Sequence, residues 1–153
     1  MVKFVDTESE VNFLDIEELE KKINFIFPDN YKKHLIKYNG GRCFPNTFSF
    51  QEKGKLTSSF VDWFLAIYHG DYDNLEDYFV TYKIVNKRLP DTFFPFAHDP
   101  GGNLICMDTT NEHIYFWDHE SEVDYNFFSD ENHNNLYFIA QDFQTFLDGL
   151  TDG

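Results

Sequence analysis

Asp118, His119 and Glu120 follow one another, and His98, Asp99 and His113 lie close upstream. Imidazole and carboxylate are ligands for zinc or iron, so a metal-dependent enzyme is the first chemistry to weigh. The spacing argues against it. It matches neither H-E-x-x-H nor a Cys/His finger. Neighbouring residues of a strand point to opposite faces, so Asp118 and His119 would diverge. We therefore expect no metal and no cofactor, and keep an enzyme built on the His/Asp cluster as a second alternative.

Other chemistries fail on similar grounds. Asp71, Asp73, Asn74, Glu76 and Asp77 form an acidic loop, but its fifth position is Leu75 and no glycine follows at the sixth, as a calcium loop requires. A solvated helix N-terminus explains it better. As nucleophiles Cys43 and Cys106 would need a basic or histidine neighbour in space, for which the sequence gives no sign, and Cys106 sits in an apolar run. Gly40-Gly41 and Gly101-Gly102 belong to no phosphate-loop pattern and read as turns. The aromatic side chains are dense where basic ones are missing. A nucleic-acid stacking groove would need a positive track beside them.

Charge is the feature that remains. Of the 12 basic and 27 acidic residues, the last basic one is Arg88. Residues 89–153 carry 13 acids and no Lys or Arg, whereas residues 1–88 carry 12 bases against 14 acids. The net −15 therefore lies almost wholly in the second part. Such a surface repels nucleic acid and acidic membranes and attracts basic proteins, above all those that themselves grip nucleic acid. We take Glu112, Asp118, Glu120, Glu122, Asp124, Asp130 and Glu131 as partner-binding residues, with Trp117 and Tyr125 as aromatic anchors among them. Any one of these acids, taken singly, is better explained as solvated surface. A run of 65 residues without one cation favours a purpose.

The elements that must position these groups follow from periodicity. The 153 residues are 42% hydrophobic and 20% aromatic, enough to bury a core, and predict a single domain spanning 1–153. Residues 13–24 read as a helix, with Ile16, Leu19 and Ile23 inward and Glu17, Glu18, Glu20, Lys21 and Lys22 on the wet face. A second helix, 30–39, would be capped by Asp29 and ended by Gly40 with φ > 0. Residues 43–50 and 59–67 read as strands around a turn at Glu52-Lys53-Gly54-Lys55. Residues 74–88 read as a third helix, stopped by Leu89-Pro90. Strands 93–98, 103–108 and 113–118 follow. The first two are joined through Asp99-Pro100-Gly101-Gly102, where a type II turn would put φ > 0 at Gly101. A last helix covers 142–150. Helices around a central, mainly antiparallel sheet give an α+β fold. The start, MVKFVDTESEV, has no apolar run with a small-residue cleavage site, and no stretch reaches the length of a membrane span. We expect a cytoplasmic protein with reduced thiols.

Two segments carry a resemblance. One is Phe27-Pro28-Asp29-Asn30-Tyr31, followed by Tyr38-Asn39-Gly40-Gly41. The other is Phe94-Pro95-Phe96-Ala97, then Asp99-Pro100-Gly101-Gly102-Asn103-Leu104-Ile105-Cys106, then Ile114-Tyr115-Phe116-Trp117-Asp118-His119-Glu120. In this order and spacing the chain resembles the SUKH superfamily, which joins a fungal cell-wall-assembly regulator to many bacterial immunity proteins. The resemblance runs from the first helix to the last. It implies an α+β domain without enzymatic activity, in which Asp118 and Glu120 secure a strand end by hydrogen bonds. It also implies a bacterial antitoxin role, the neutralisation of a cognate polymorphic toxin, often a nuclease, by binding it. A regulatory module with a house-keeping partner is the first alternative.

Overall fold

A capping box opens the first helix. Asn12 Oδ1 accepts from the Asp15 backbone N–H at 3.0 Å, and Asp15 Oδ2 accepts from that of Asn12 at 2.9 Å, so two N–H groups at the helix start find partners. Helix α1 (Phe13–Ile23) buries Ile16, Leu19 and Ile23 as the spacing predicts. Glu20, expected on the wet face, is instead 4% exposed. Its carboxylate accepts from the Phe27 N–H at 2.7 Å and from Lys32 Nζ at 3.1 Å, and so pins the turn into the next helix. A buried charge is tolerable when it is paired and hydrogen-bonded in this way. Helix α2 (Asp29–Lys37) takes Pro28, not Asp29, as its N-cap, and Asp29 falls in the first turn. The helix closes on Tyr38 in extended geometry, so Gly40 is not its terminal residue. The positive φ of Gly40, +72°, serves packing: a Cβ there would lie 2.6 Å from that of Ala66.

The structure described here is a computed structural model, and it describes residues 2–120 and 135–153. After β1 (Lys3–Val5) and the two helices come β2 (Arg42–Phe44), β3 (Thr47–Glu52), β4 (Lys55–Phe60) and β5 (Trp63–Phe64). Two expected strands are thus each divided, the first around Pro45, which has no N–H to give a ladder. The turn between β3 and β4 falls where expected, with positive φ at Lys53 and Gly54. Helix α3 (Leu75–Tyr78) runs on into a π-helix (Phe79–Val85). Next come β6 (Phe93–His98), β7 (Leu104–Asp108), β8 (Ile114–Trp117), β9 (Leu136–Ala140) and α4 (Phe143–Asp148).

Strands β5 to β9 form one antiparallel sheet in sequential order, while β1–β2 and β3–β4 are two-stranded ribbons. The architecture is α+β. Strand alternation divides the sheet residues between two apolar clusters. Phe94, Phe96, Ile105, Met107, Ile114 and Phe116 join the main core with α1, α2, α4 and β3. Phe93, Leu104, Cys106 and Trp117 form a smaller cluster with Leu89, against which Tyr78 and Tyr82 pack from the helical side. Cys43 and Cys106 are free and buried in different clusters. Burial pushes the Cys43 thiol up to about 12 and raises that of Cys106 as well, which keeps both protonated and inert.

Strands β1 and β9 have no counterpart in the sequence reading. A three-residue strand leaves too short a pattern to detect. The five apolar or aromatic residues of β9 do not alternate, and without a period such a run does not distinguish strand from helix.

Candidate functional site

The turn from β6 to β7 is built around the carboxylate of Asp99, which is 5% exposed. Its Oδ1 accepts from the backbone N–H groups of Gly101 and Asn103, both at 2.9 Å. Its Oδ2 accepts from Ser59 Oγ at 2.9 Å and Asn103 Nδ2 at 3.1 Å. Positive φ falls on Gly102, +88°, and not on Gly101, so the type II expectation gives way to a longer loop closed by Asp99 N–H donating to the Asn103 carbonyl at 3.0 Å. The Asp99 side chain, collecting local donors, selects this loop over the two-residue turn.

Asn103 carries the turn across to the end of β8. Its Oδ1 accepts from the His119 backbone N–H at 3.0 Å and faces His119 Nδ1 at 2.6 Å. The His119 carbonyl accepts from Arg88 Nη2 at 3.0 Å, and the Arg88 guanidinium lies 4.7 Å from the centre of the Trp117 ring. Asp118 donates its N–H to the Asn135 carbonyl at 2.9 Å, and its carboxylate accepts from the Glu120 N–H at 3.0 Å. Asp118 thus secures the strand end through its own carboxylate, whereas Glu120 contributes its backbone N–H.

His98 lies at the same end of the sheet. Its Nε2 is 2.5 Å from Asp73 Oδ1, its Nδ1 is 3.0 Å from the Asp99 carbonyl, and its ring stacks on Tyr78. His98 is thus committed to Asp73 and His119 to Asn103. Among the described residues no three His, Cys, Asp or Glu side chains converge as a metal site would need. His113 is at the far end of β8, edge-on to Phe138.

Asp118 and Glu120 therefore stand together on this end, beside the turn. Glu112 stands beyond the other end of β8, and the four-residue strand between them spans about 13 Å. Trp117 is 1% exposed and forms the floor under Arg88 instead of a surface. Glu122, Asp124, Tyr125, Asp130 and Glu131 lie outside the described residues. The residues the reading missed are the positioning ones, Ser59, Arg88, Asn103 and Asn135. Only Asn103 had a local signal, in the Asp-Pro-Gly-Gly-Asn run. On β9, which pairs with β8, Phe138 is 48% exposed and edge-on to Tyr115.

The chain belongs to the SUKH family: it matches the family described as SMI1-KNR4 cell-wall over residues 14–147. It is also 31% identical over 156 residues, 90% of this chain and 73% of the relative, to an SPbeta prophage-derived uncharacterized protein, YokK, of Bacillus subtilis (strain 168). The family is in general one of non-enzymatic immunity and regulatory domains that act by binding protein partners. Among the described residues no helix is long and apolar enough to cross a membrane.

Proposed function

We propose that this chain is an immunity protein that binds a basic toxin domain, a nuclease in the simplest case, and blocks it by occlusion. One observation carries the reading: 13 acids and no Lys or Arg over residues 89–153, on a family scaffold that includes immunity proteins. A nuclease must hold polyphosphate and so presents Lys and Arg at its active surface. An acidic protein surface competes for those same groups.

In this reading Asp118, Glu120 and the acids of residues 122–131 pair with the toxin's cations. Aromatic side chains, Tyr125 and the exposed Phe138 among them, supply the desolvated centre. Trp117, being buried, contributes by holding Arg88 and the strand end in place. The relative's prophage origin fits a gene carried with a toxin.

The test is co-expression. A toxin domain encoded beside this gene should arrest growth alone, be tolerated when this chain is co-produced, and co-purify with it. Protection without a complex would overturn occlusion. A stable complex with a house-keeping protein and none with the toxin would favour the regulatory reading.

A further inference from the structure

Cations on this chain are few, and most of those on the first helices are spent. Lys21 pairs with Glu17, Lys22 with Glu76 and Lys32 with Glu20. Lys33 and Lys37 form no ion pair among the described residues. One turn apart on α2, both border a cleft of about 700 Å³ between β1, α2 and α4. That size is in the range of small-molecule sites.

The cleft has an apolar floor and a cationic rim. Val2, Phe4, Phe143 and Leu147 supply the apolar surface, and Tyr38 lies beneath Lys37, whose Nζ is 5.3 Å from its ring centre. Asn30 and Gln144 add amides. Asp148 is the one carboxylate in the lining, and it accepts from Gln144 Nε2 at 2.9 Å.

The wall also holds hydrogen-bonding capacity without a partner. His34 lines the cleft, and its buried Nε2 bonds to nothing among the described residues. Phe143 packs edge-on against His34 at 4.7 Å and against Tyr31 at 5.7 Å, and the Tyr31 hydroxyl is likewise buried without a partner. Buried polar groups are nearly always satisfied by protein or water, and of these two only His34 lines the cleft, so its unpartnered nitrogen marks a wall suited to a polar guest. Burial keeps His34 neutral, which leaves the charge of the site to the lysines.

We propose that this cleft binds a small amphiphilic carboxylate, with its apolar chain on Val2, Phe4, Phe143 and Leu147 and its carboxylate between Lys33 and Lys37. A cationic amphiphile would meet both lysines. An acidic peptide would be repelled by the net −15 of the molecule, whereas a single carboxylate suffers little of that repulsion.

The probes are decanoate, decanol and decyltrimethylammonium below their micelle concentrations, titrated into the full chain by calorimetry and by amide NMR. Decanoate should saturate one site, shift the amides of α2 and α4, and bind roughly five- to tenfold tighter than either of the others, the range two exposed ion pairs allow. The double variant Lys33→Gln/Lys37→Gln should reduce decanoate to the decanol level and leave decanol unchanged. The matched variant Lys53→Gln/Lys55→Gln, in the β3–β4 turn, should change neither. All four positions are exposed, so folding is not at stake. Absence of saturation, equal binding of decanoate and decanol, or an equal loss in the two double variants would overturn the proposal.

Discussion

Asn103 holds His119 twice, through the backbone N–H at 3.0 Å and through ring Nδ1 at 2.6 Å, both to the same amide oxygen. Its own amide nitrogen is held by Asp99. The bonds that shape the turn between β6 and β7 therefore also place the strand end that carries Asp118 and Glu120. Asp99→Ala would strip an acceptor from Ser59, Gly101 and Asn103 together. Removing the partner of buried donors costs about 1–3 kcal/mol for each group left unpaired, so we expect a loss of roughly 2–4 kcal/mol in urea denaturation. Asn103→Ala should cost about 1–3 kcal/mol on the same argument. A loss below about 0.5 kcal/mol in Asp99→Ala would mean that water replaces the carboxylate.

Gly102 and Gly101 should respond unequally to substitution. Gly102 has φ +88°, and a branched residue there should lower stability by about 1–3 kcal/mol. Gly102→Val should then melt roughly 2–12 °C lower, given about 2–4 °C per kcal/mol in a domain of this size. At Gly101 the nearest atom to an added Cβ is Asn103 Nδ2 at 3.4 Å, with no positive φ to oppose it. Gly101→Ala should stay within about 0.5 kcal/mol of the parent. Equal effects at the two positions would refute the loop geometry.

His34 makes stability depend on pH. Burial first, and Lys37 second, lower its pKa to about 3 from the ordinary 6.5. The folded state therefore binds this proton less readily than the unfolded chain. Stability from this group is complete above about pH 6.5 and falls as pH drops toward 3, by up to about 1.4 kcal/mol per pH unit. His34→Phe should flatten that part of the profile between pH 6.5 and 4.5 in denaturant titrations. An unchanged slope would show that the imidazole is protonated where it lies.

The toxin complex should be salt-sensitive. Screening shortens from about 30 Å at 0.01 M to about 3 Å at 1 M, so the association rate should fall steeply across that range. Changing Glu120, Glu122, Asp124, Asp130 and Glu131 together to Gln or Asn should slow association and flatten its salt dependence. One such change alone should do little, since exposed pairs are worth about 0.2–1 kcal/mol. If the multiple variant associates as the parent does, with the same salt slope, the interface belongs on the first 88 residues.

Local chemistry was enough for part of this architecture. The apolar spacing of Ile16, Leu19 and Ile23 marks α1, Lys53-Gly54 marks the first hairpin, and the run from Asp99 to Asn103 marks the central one, because each depends on residues a few positions apart. The concentration of acid after Arg88 is likewise plain in the sequence, as is the motif order that signals the family. Tertiary structure decided the rest, through partners distant in the chain. Glu20 lies on a face that helical spacing makes wet, yet the Phe27 N–H and Lys32 turn it into a buried anchor. Short β1 gains its place by pairing with β2, and β9 by pairing with β8. Trp117 could have been surface or floor until Arg88, 29 positions earlier, lay across it. Asp118 and Glu112, six positions apart in sequence, are sent to opposite ends of one strand because β8 is extended between them. Hydrogen bonds and packing between distant segments have no period and no fixed spacing, so folding alone determines which groups meet.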